Sequence, residues 1–286
     1  MRSNAFAAIE PLEGRRLLSA GVYAPRSIVR GETMGQYAAD WWTQVLQTPV
    51  VDAKGNIINP NFDPTGALAA QGDVDKAFFL FGSITGGTIN RSADVPSGTP
   101  LFVPVLPEEW SNADTPTLQG TLPGNYTAAQ LSGLANESVQ SVLSAGEVHA
   151  SIDGQSVPNV AAHREIAPTF SYALPPANNV DQFFGNNVSG PVSPAEADGF
   201  YLMLRPLAPG QHVIEFGGTI PNEPQLGPAN LGPLTTDVTY TLNVVPKGQY
   251  DKTELAAVNA AASSPGSDPG NSSGSDADHK LFNNLT

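Results

Sequence analysis

"DVTYTLNVV" (residues 237–245) decides the fold. Val238, Tyr240, Leu242 and Val244 alternate with Thr239, Thr241 and Asn243, the period of two of a strand with one dry face and one wet face. Other segments have strand character of different kinds. "KAFFLFGS" (76–83) is continuously apolar, as a strand covered on both sides should be. "LFVPVL" (101–106) resembles it, but Pro104 lacks an N–H and marks an edge or a bulge. "EVHASI" (147–152) runs into Asp153-Gly154, the signature of a two-residue hairpin. "TFSYAL" (169–174) alternates loosely. "GFYLMLRPL" (199–207) and "QHVIEFGGT" (211–219) flank Pro209-Gly210, which predicts a second hairpin. Six or more such strands, mostly antiparallel, predict a mainly β fold: an antiparallel β-sandwich or jelly roll.

Two helices are predicted outside the sheets. Thr33 with Gln36 forms a capping box, and Met34, Tyr37, Ala38, Trp41, Trp42, Val45 and Leu46 follow at helical spacing until Pro49. Thr127 with Gln130 opens the second, which carries Leu131, Leu134, Ala135, Ser138 and Val142 and stops near Gly146. A third box, Ser193-Pro194-Ala195-Glu196, predicts a single helical turn.

Composition agrees. In 286 residues, 40% are apolar and only 14% charged, against roughly 25% charged in an ordinary globular chain. Gly (28) and Pro (26) favour many turns and short strands. There is no cysteine, which excludes disulfides, thiolate metal sites and thiol nucleophiles. No uncharged apolar run approaches the length of a transmembrane helix. The net charge is −14, and from residue 32 onward 8 basic residues face 25 acidic ones. So acidic a body repels phosphate backbones, so nucleic acid is not an expected partner.

The expected organisation is a leader (1–24), one β-sandwich domain (25–247) and a flexible Ser/Gly/Pro/Asp-rich tail (248–286) with a short helix near 253–262. "EPLEGRRLLSAG" (10–21) lies where a signal peptide could sit, yet Glu10, Glu13, Arg15 and Arg16 break its apolar stretch. Leu12-Glu13-Gly14-Arg15-Arg16-Leu17-Leu18-Ser19-Ala20 resembles the LEPR-XLL segment of planctomycete-type bacteria, with Gly14 where that family carries Pro. The resemblance implies export, to the extracellular space or the cell surface. The body resembles a group of uncharacterised exported bacterial proteins. The matching pieces are Trp41-Trp42, Asn59-Pro60, Asp63-Pro64-Thr65-Gly66, the "FFLFG" strand, Arg91, "VPSGTPLFVPVL" (95–106), Asp153-Gly154, His163-Arg164, Asp198-Gly199 and "LMLRPLAPGQHVIEFGG" (202–218). That resemblance implies an exported β-rich domain and no particular chemistry.

Candidate site residues are few. Glu108, Glu109 and Asp198 are the candidate catalytic acids, since glycoside hydrolysis needs two carboxyls roughly 5–10 Å apart. Asp198 precedes Gly, as turn residues do, and Arg164 and Arg205 are expected in salt bridges, Arg164 with Glu165 or Asp198. Trp110 and Trp42 are candidate ligand platforms, though one of Trp41 and Trp42 is expected in the core. His149, His163 and His212 are the candidate metal ligands, without ligand spacing; separate, hydrogen-bonded histidines are the alternative. No cofactor is expected. Asp268, Asp276 and Asp278 offer oxygen to calcium but lack the spacing of an EF-hand loop. Two functions stay open. One is an exported, non-enzymatic adhesion, envelope or matrix protein. The other is a carbohydrate-active protein, a sugar-binding module or hydrolase, with Trp110 and Glu108 or Glu109 lining a groove. Extracellular polysaccharide or envelope components are the expected partners.

Overall fold

A computed structural model describes residues 21–114, 125–145, 147–221 and 233–250. Most of the leader, the tail from residue 251 with its aspartates and short helix, and Gly146 lie outside the described residues. The chain opens with β1 (Ile28–Val29), β2 (Glu32–Thr33) and α1 (Met34–Gln47). Then come β3 (Phe78–Phe79), β4 (Gly87–Pro96), β5 (Leu101–Ser111), α2 (Ala128–Ala145), β6 (Glu147–Ile152) and β7 (Gln155–Ser156). β8 (Arg164–Ile166), β9 (Phe170–Leu174), α3 (Val180–Phe183), β10 (Gly190–Leu204), β11 (Gly210–Ile220) and β12 (Leu234–Val245) complete it.

The molecule is mainly β, two five-stranded sheets packed face to face with helices outside. The first sheet has the order β3-β5-β10-β8, with β9 also on β10; the second is β4-β12-β11-β6-β7. β12 behaves as its alternation requires: Val238, Tyr240, Leu242 and Val244 are buried between the sheets. The continuous apolar run of β10 has the other explanation. Phe200, Leu202 and Leu204 enter the space between the sheets, while Tyr201 and Met203 face α1. A strand covered on both sides needs apolar residues at every position.

α1 follows its sequence closely. Thr33 and Gln36 close the capping box, and Tyr37, Ala38, Trp41 and Val45 are sealed against the first sheet. Each large side chain so buried contributes roughly 1.5–3 kcal/mol. The Trp41 indole N–H donates to the Leu80 carbonyl at 2.9 Å, fastening the helix to the segment after β3. Gly35 lets the first turn touch β8, since a Cβ there would lie 2.4 Å from the Ile166 carbonyl oxygen. α2 begins at the Thr127–Gln130 box. Its Val139 and Val142 join the inter-sheet core, and Leu131, Leu134 and Ala135 pack with Trp110 and Tyr126. No helix among the described residues is long and apolar enough to cross a membrane.

The Asp153-Gly154 hairpin forms, with φ of 51° and 73°, the left-handed pair that a type I′ turn demands. Two local expectations are corrected, and for Pro104 the structure selects the bulge over the edge. Pro209-Gly210 is not a hairpin: β10 and β11 belong to different sheets, and the chain crosses between layers there. Turn chemistry shows where a chain bends, not which strands it then pairs. Ser193–Glu196 is not a helical turn but part of β10, at an irregularity between Val192 and Ala195. Pairing with β9 and β5 overrides the local signal, and the Glu196 carboxylate accepts from the Thr169 hydroxyl at 2.6 Å. Pro104 lies in an interior strand, not at an edge. It sits at a bulge, where Leu106 pairs with Phe200 and Pro104 with Tyr201. Pairing is mostly antiparallel, as expected, with two exceptions: β3 runs parallel to β5, and β4 to β12. At the other end of the domain the body reaches back past residue 25, since the Tyr23 N–H donates to the Met203 carbonyl at 2.8 Å.

Candidate functional site

Of the acids singled out from the sequence, Glu108 and Asp198 stand directly opposite each other across β5 and β10, and Glu109 does not join them. Glu108 and Glu109 are neighbours on β5, so they leave opposite faces of the sheet. Trp110 shares the Glu108 face, and only 6% of it is exposed, beneath α2. The expected groove of Trp110 with a carboxylate is therefore replaced by a covered indole. Trp42 is equally covered, edge-on to Trp41 with ring centres 4.9 Å apart. The shape of the core requires both indoles, where the sequence argued for one.

Asp198 is committed elsewhere. Arg164 holds it in a two-pronged pair, through Nε at 2.9 Å to Oδ1 and through Nη2 to Oδ2. Oδ1 also accepts from the Gly199 N–H at 2.8 Å. Of the two partners expected for Arg164, the structure selects Asp198. Arg205 instead lies over the Tyr23 ring at 4.3 Å.

The three histidines are separate. His149 pairs with Asp237 at 3.0 Å on the outer face of the second sheet. It stands opposite Gly217, five residues along β11 from His212. His212 is on the other face, bonded to Asp153 at 2.8 Å and the Ala208 carbonyl at 2.9 Å. His163 lines a small groove with Val22, Ile152 and Val157, and burial lowers its pKa. Among the described residues no group of three His or carboxylate side chains is placed to hold a metal ion.

One acidic cluster does form. Glu109, Asp114 and Asp181 approach one another around Ser111 and Tyr172, brought together by β5, the turn after it, α3 and β9. The Ser111 hydroxyl lies 3.0 Å from Asp114 and 2.9 Å from the Tyr172 hydroxyl, which reaches toward Glu109 at 3.5 Å. All three carboxyls are raised. Burial is the first cause for each; then Asp114 and Asp181 repel Glu109, and Asp181 repels Asp114. A raised folded-state pKa favours the neutral form, so this contribution to stability is full below about pH 4, the unfolded value. It is lost as pH rises through the folded values. Tm is therefore expected to fall from about pH 6.5, above the His163 transition, to alkaline pH, with the decline reduced in Glu109→Gln. A differential-scanning fluorimetry series checks it, and a Tm that rises over that range would contradict it.

A concavity larger than the His163 groove lies along α1. Asp40, Thr43, Gln44 and Gln47 recur at i, i+3, i+4 and i+7, so one helix face forms a wall. Val74, Asp75 and Lys76 form the facing wall, with Glu32 at one end and Thr48 at the other. Tyr37 and Phe79 close the floor, and the groove holds about 560 Å³. The walls are tied across: Lys76 pairs with Glu32, and the Gln44 amide donates to the Gln71 carbonyl at 2.7 Å. Asp40 is raised, by burial first and by the Glu32 charge second, with Lys76 opposing. The buried Tyr37 phenol is pushed up to about 12 by its burial and by Glu32. None of these polar residues was singled out from the sequence. The signal was the polar stripe itself, which reads as the solvated side of an amphipathic helix.

Chemically the groove offers amides, hydroxyls and carboxylates over an apolar floor, an arrangement that binds a polar ligand by many hydrogen bonds. Comparison of the chain with protein-family models, curated proteins and solved structures gave no significant match.

Proposed function

We propose that this is an exported, non-enzymatic recognition protein of the cell surface or extracellular matrix, and that the α1 groove takes a saccharide. The groove carries the reading. Asp40, Thr43 and Gln47 on the helix wall and Asp75 and Lys76 on the facing wall offer donors and acceptors, as a polyhydroxylated ligand requires. Binding is favoured over hydrolysis because Asp198, the one candidate acid opposite Glu108, is buried and held in a two-pronged pair by Arg164, and Glu109 leaves the other face of the sheet. Export rests on the resemblance of residues 12–20 to the LEPR-XLL segment.

Two experiments test it. The purified full chain is screened by thermal shift against soluble oligosaccharides of cellulose, xylan, chitin and deacetylated chitin. At a ligand excess of about 100 Kd the fold gains about 2.7 kcal/mol, a shift that is easily read. At least one oligosaccharide is expected to raise Tm in the parent and not in Gln47→Trp, which fills the groove from an exposed helical position. No shift with any of them overturns the saccharide reading. Export is tested by fractionating cells that make the chain with and without residues 1–24; retention of both forms in the cytosol overturns it.

A further inference from the structure

The groove is not neutral, and its charge narrows the ligand. Resting on the saccharide reading above, we infer that the groove selects saccharides bearing a free primary amine, whose ammonium group is held by the Asp40 carboxylate.

Three carboxylates, Glu32, Asp40 and Asp75, line the groove against one cation, Lys76. That cation is already used: its ammonium contacts Glu32, which binds it at the β2 end. Asp40 and Asp75 have no hydrogen-bond or ion-pair partner among the described residues. With Lys76 acting on Asp40 as well as on Glu32, the groove still presents a net negative charge to whatever enters. An anionic sugar, a uronic acid or a sulfated one, would meet repulsion from Asp40 and Asp75. A neutral sugar would bond to the amides and hydroxyls and leave both charges unanswered. An ammonium answers one of them directly, through a charge-assisted hydrogen bond.

The rest of the lining separates an amino sugar from a bare ammonium. Thr43, Gln44, Gln47 and Thr48 are uncharged and spread along the length of the helix wall. The Gln44 amide and the Thr48 hydroxyl already donate within the protein, and a lysine side chain would present only methylenes to the hydrogen-bonding groups of Thr43 and Gln47. A sugar ring presents hydroxyls at a spacing that a pair of facing polar walls can meet. The surrounding charge works the same way over longer range, since the body is strongly acidic and its field draws cationic ligands toward the surface.

The Asp40 carboxyl is raised by burial and by Glu32, and an ammonium beside it acts in the opposite direction. Binding is thus linked to ionisation of Asp40. Affinity weakens on the acid side, where Asp40 takes up a proton, and on the alkaline side, where the amine loses one. The groups facing Asp40 are Glu32 and Lys76.

The test is calorimetric titration of the full chain, at about pH 6, below the pKa of an amine. The probes are glucosamine oligomers, the matching N-acetylglucosamine oligomers and an oligolysine of similar length. The free-amine oligomers are expected to bind at least tenfold more tightly than the acetylated ones. Asp40→Asn, exposed on α1 and so expected to fold, is expected to erase that preference while keeping the weaker acetylated binding. Asp75→Asn serves as the second variant, expected to reduce the preference without abolishing it. Equal or tighter binding of the acetylated oligomers overturns the amine inference and leaves the saccharide reading standing. Failure of all the sugars to bind overturns the saccharide reading itself. Oligolysine binding as tightly as the amino sugar overturns selection of a sugar, and shows that the groove reads charge alone.

Discussion

Arg91→Met is expected to lower stability by about 3–5 kcal/mol, more than a typical core truncation. Arg91 sits in the middle of β4 with 2% of its surface exposed, and among the described residues it pairs with no carboxylate. Main-chain dipoles take that role. Nε donates to the Asp63 carbonyl at 2.7 Å, and Nη1 to the carbonyls of Phe81 and Gly82 and to the Tyr240 hydroxyl. The guanidinium also lies 5.7 Å from the Tyr240 ring centre. The contacts join three pieces of chain: the turn at Asp63, the segment after β3 in the first sheet, and β12 in the second. Methionine matches the length but takes a donor from three interior carbonyls, leaving Phe81 only the Tyr240 hydroxyl at 3.3 Å, at about 1–3 kcal/mol each. Relief of the buried charge offsets part of this, and Nη2 has no partner to lose, which sets the total at the lower half of the sum. At about 2–4 °C per kcal/mol, Tm falls by roughly 6–20 °C. Arg91→Lys keeps the charge without the planar fork and is expected to fall between the two. Urea unfolding of the three proteins checks this, and a Met variant within 1 kcal/mol of the parent would refute the role of Arg91 as a tie.

The same residue shows why β4 was hidden in the sequence. "GTINRSADVP" (87–96) has the composition of a loop, with Gly, Asn, Ser and Asp throughout. Its inward set is Ile89, Arg91, Ala93 and Val95, and an arginine in the central place breaks the apolar alternation that identified β12. The cage of carbonyls that makes it tolerable comes from residues 63, 81 and 82, none of which is local. β12, β10 and α1 were legible because their own side chains dictate their environment: alternation on one, a continuous run on another, a capping box with a helical stripe on the third. Pro209-Gly210 and the Ser193 box misled because a local signal was real but the tertiary partner decided its use. The groove was illegible for a related reason. Asp40, Thr43, Gln44 and Gln47 mark a polar helix face, and only the approach of residues 74–79, fastened by the Trp41–Leu80 hydrogen bond, turns that face into a concave wall. The acids chosen instead stood out by being adjacent in sequence, which on a strand sends them to opposite sides of a sheet.

Asp198→Ala is the second large effect, and it separates a structural acid from a catalytic one. Only 3% of the Asp198 side chain is exposed, and 20% of Arg164. Removing one partner of a buried pair costs about 3–5 kcal/mol, because the other charge is left desolvated and unanswered. Arg164 retains the Asn136 side-chain oxygen at 2.8 Å and some access to water, so the lower end, about 3 kcal/mol, is expected. Arg164→Met strands the more deeply buried charge and should cost at least as much. The double variant Arg164→Met/Asp198→Ala should lose less than the two singles added together, since neither orphan then exists. A double-mutant cycle in urea measures this coupling, and a coupling near zero would show that the pair adds nothing to the fold. The functional consequence follows from position. The pair joins β8 to β10 and α2, whereas the groove is built from α1, Glu32 and residues 74–79. Ligand affinity of the folded Asp198→Ala protein should therefore match that of the parent, although its Tm is lower. An equal loss of binding and stability would move the functional site from the groove to this strand, and with it the choice of which acid to call chemical.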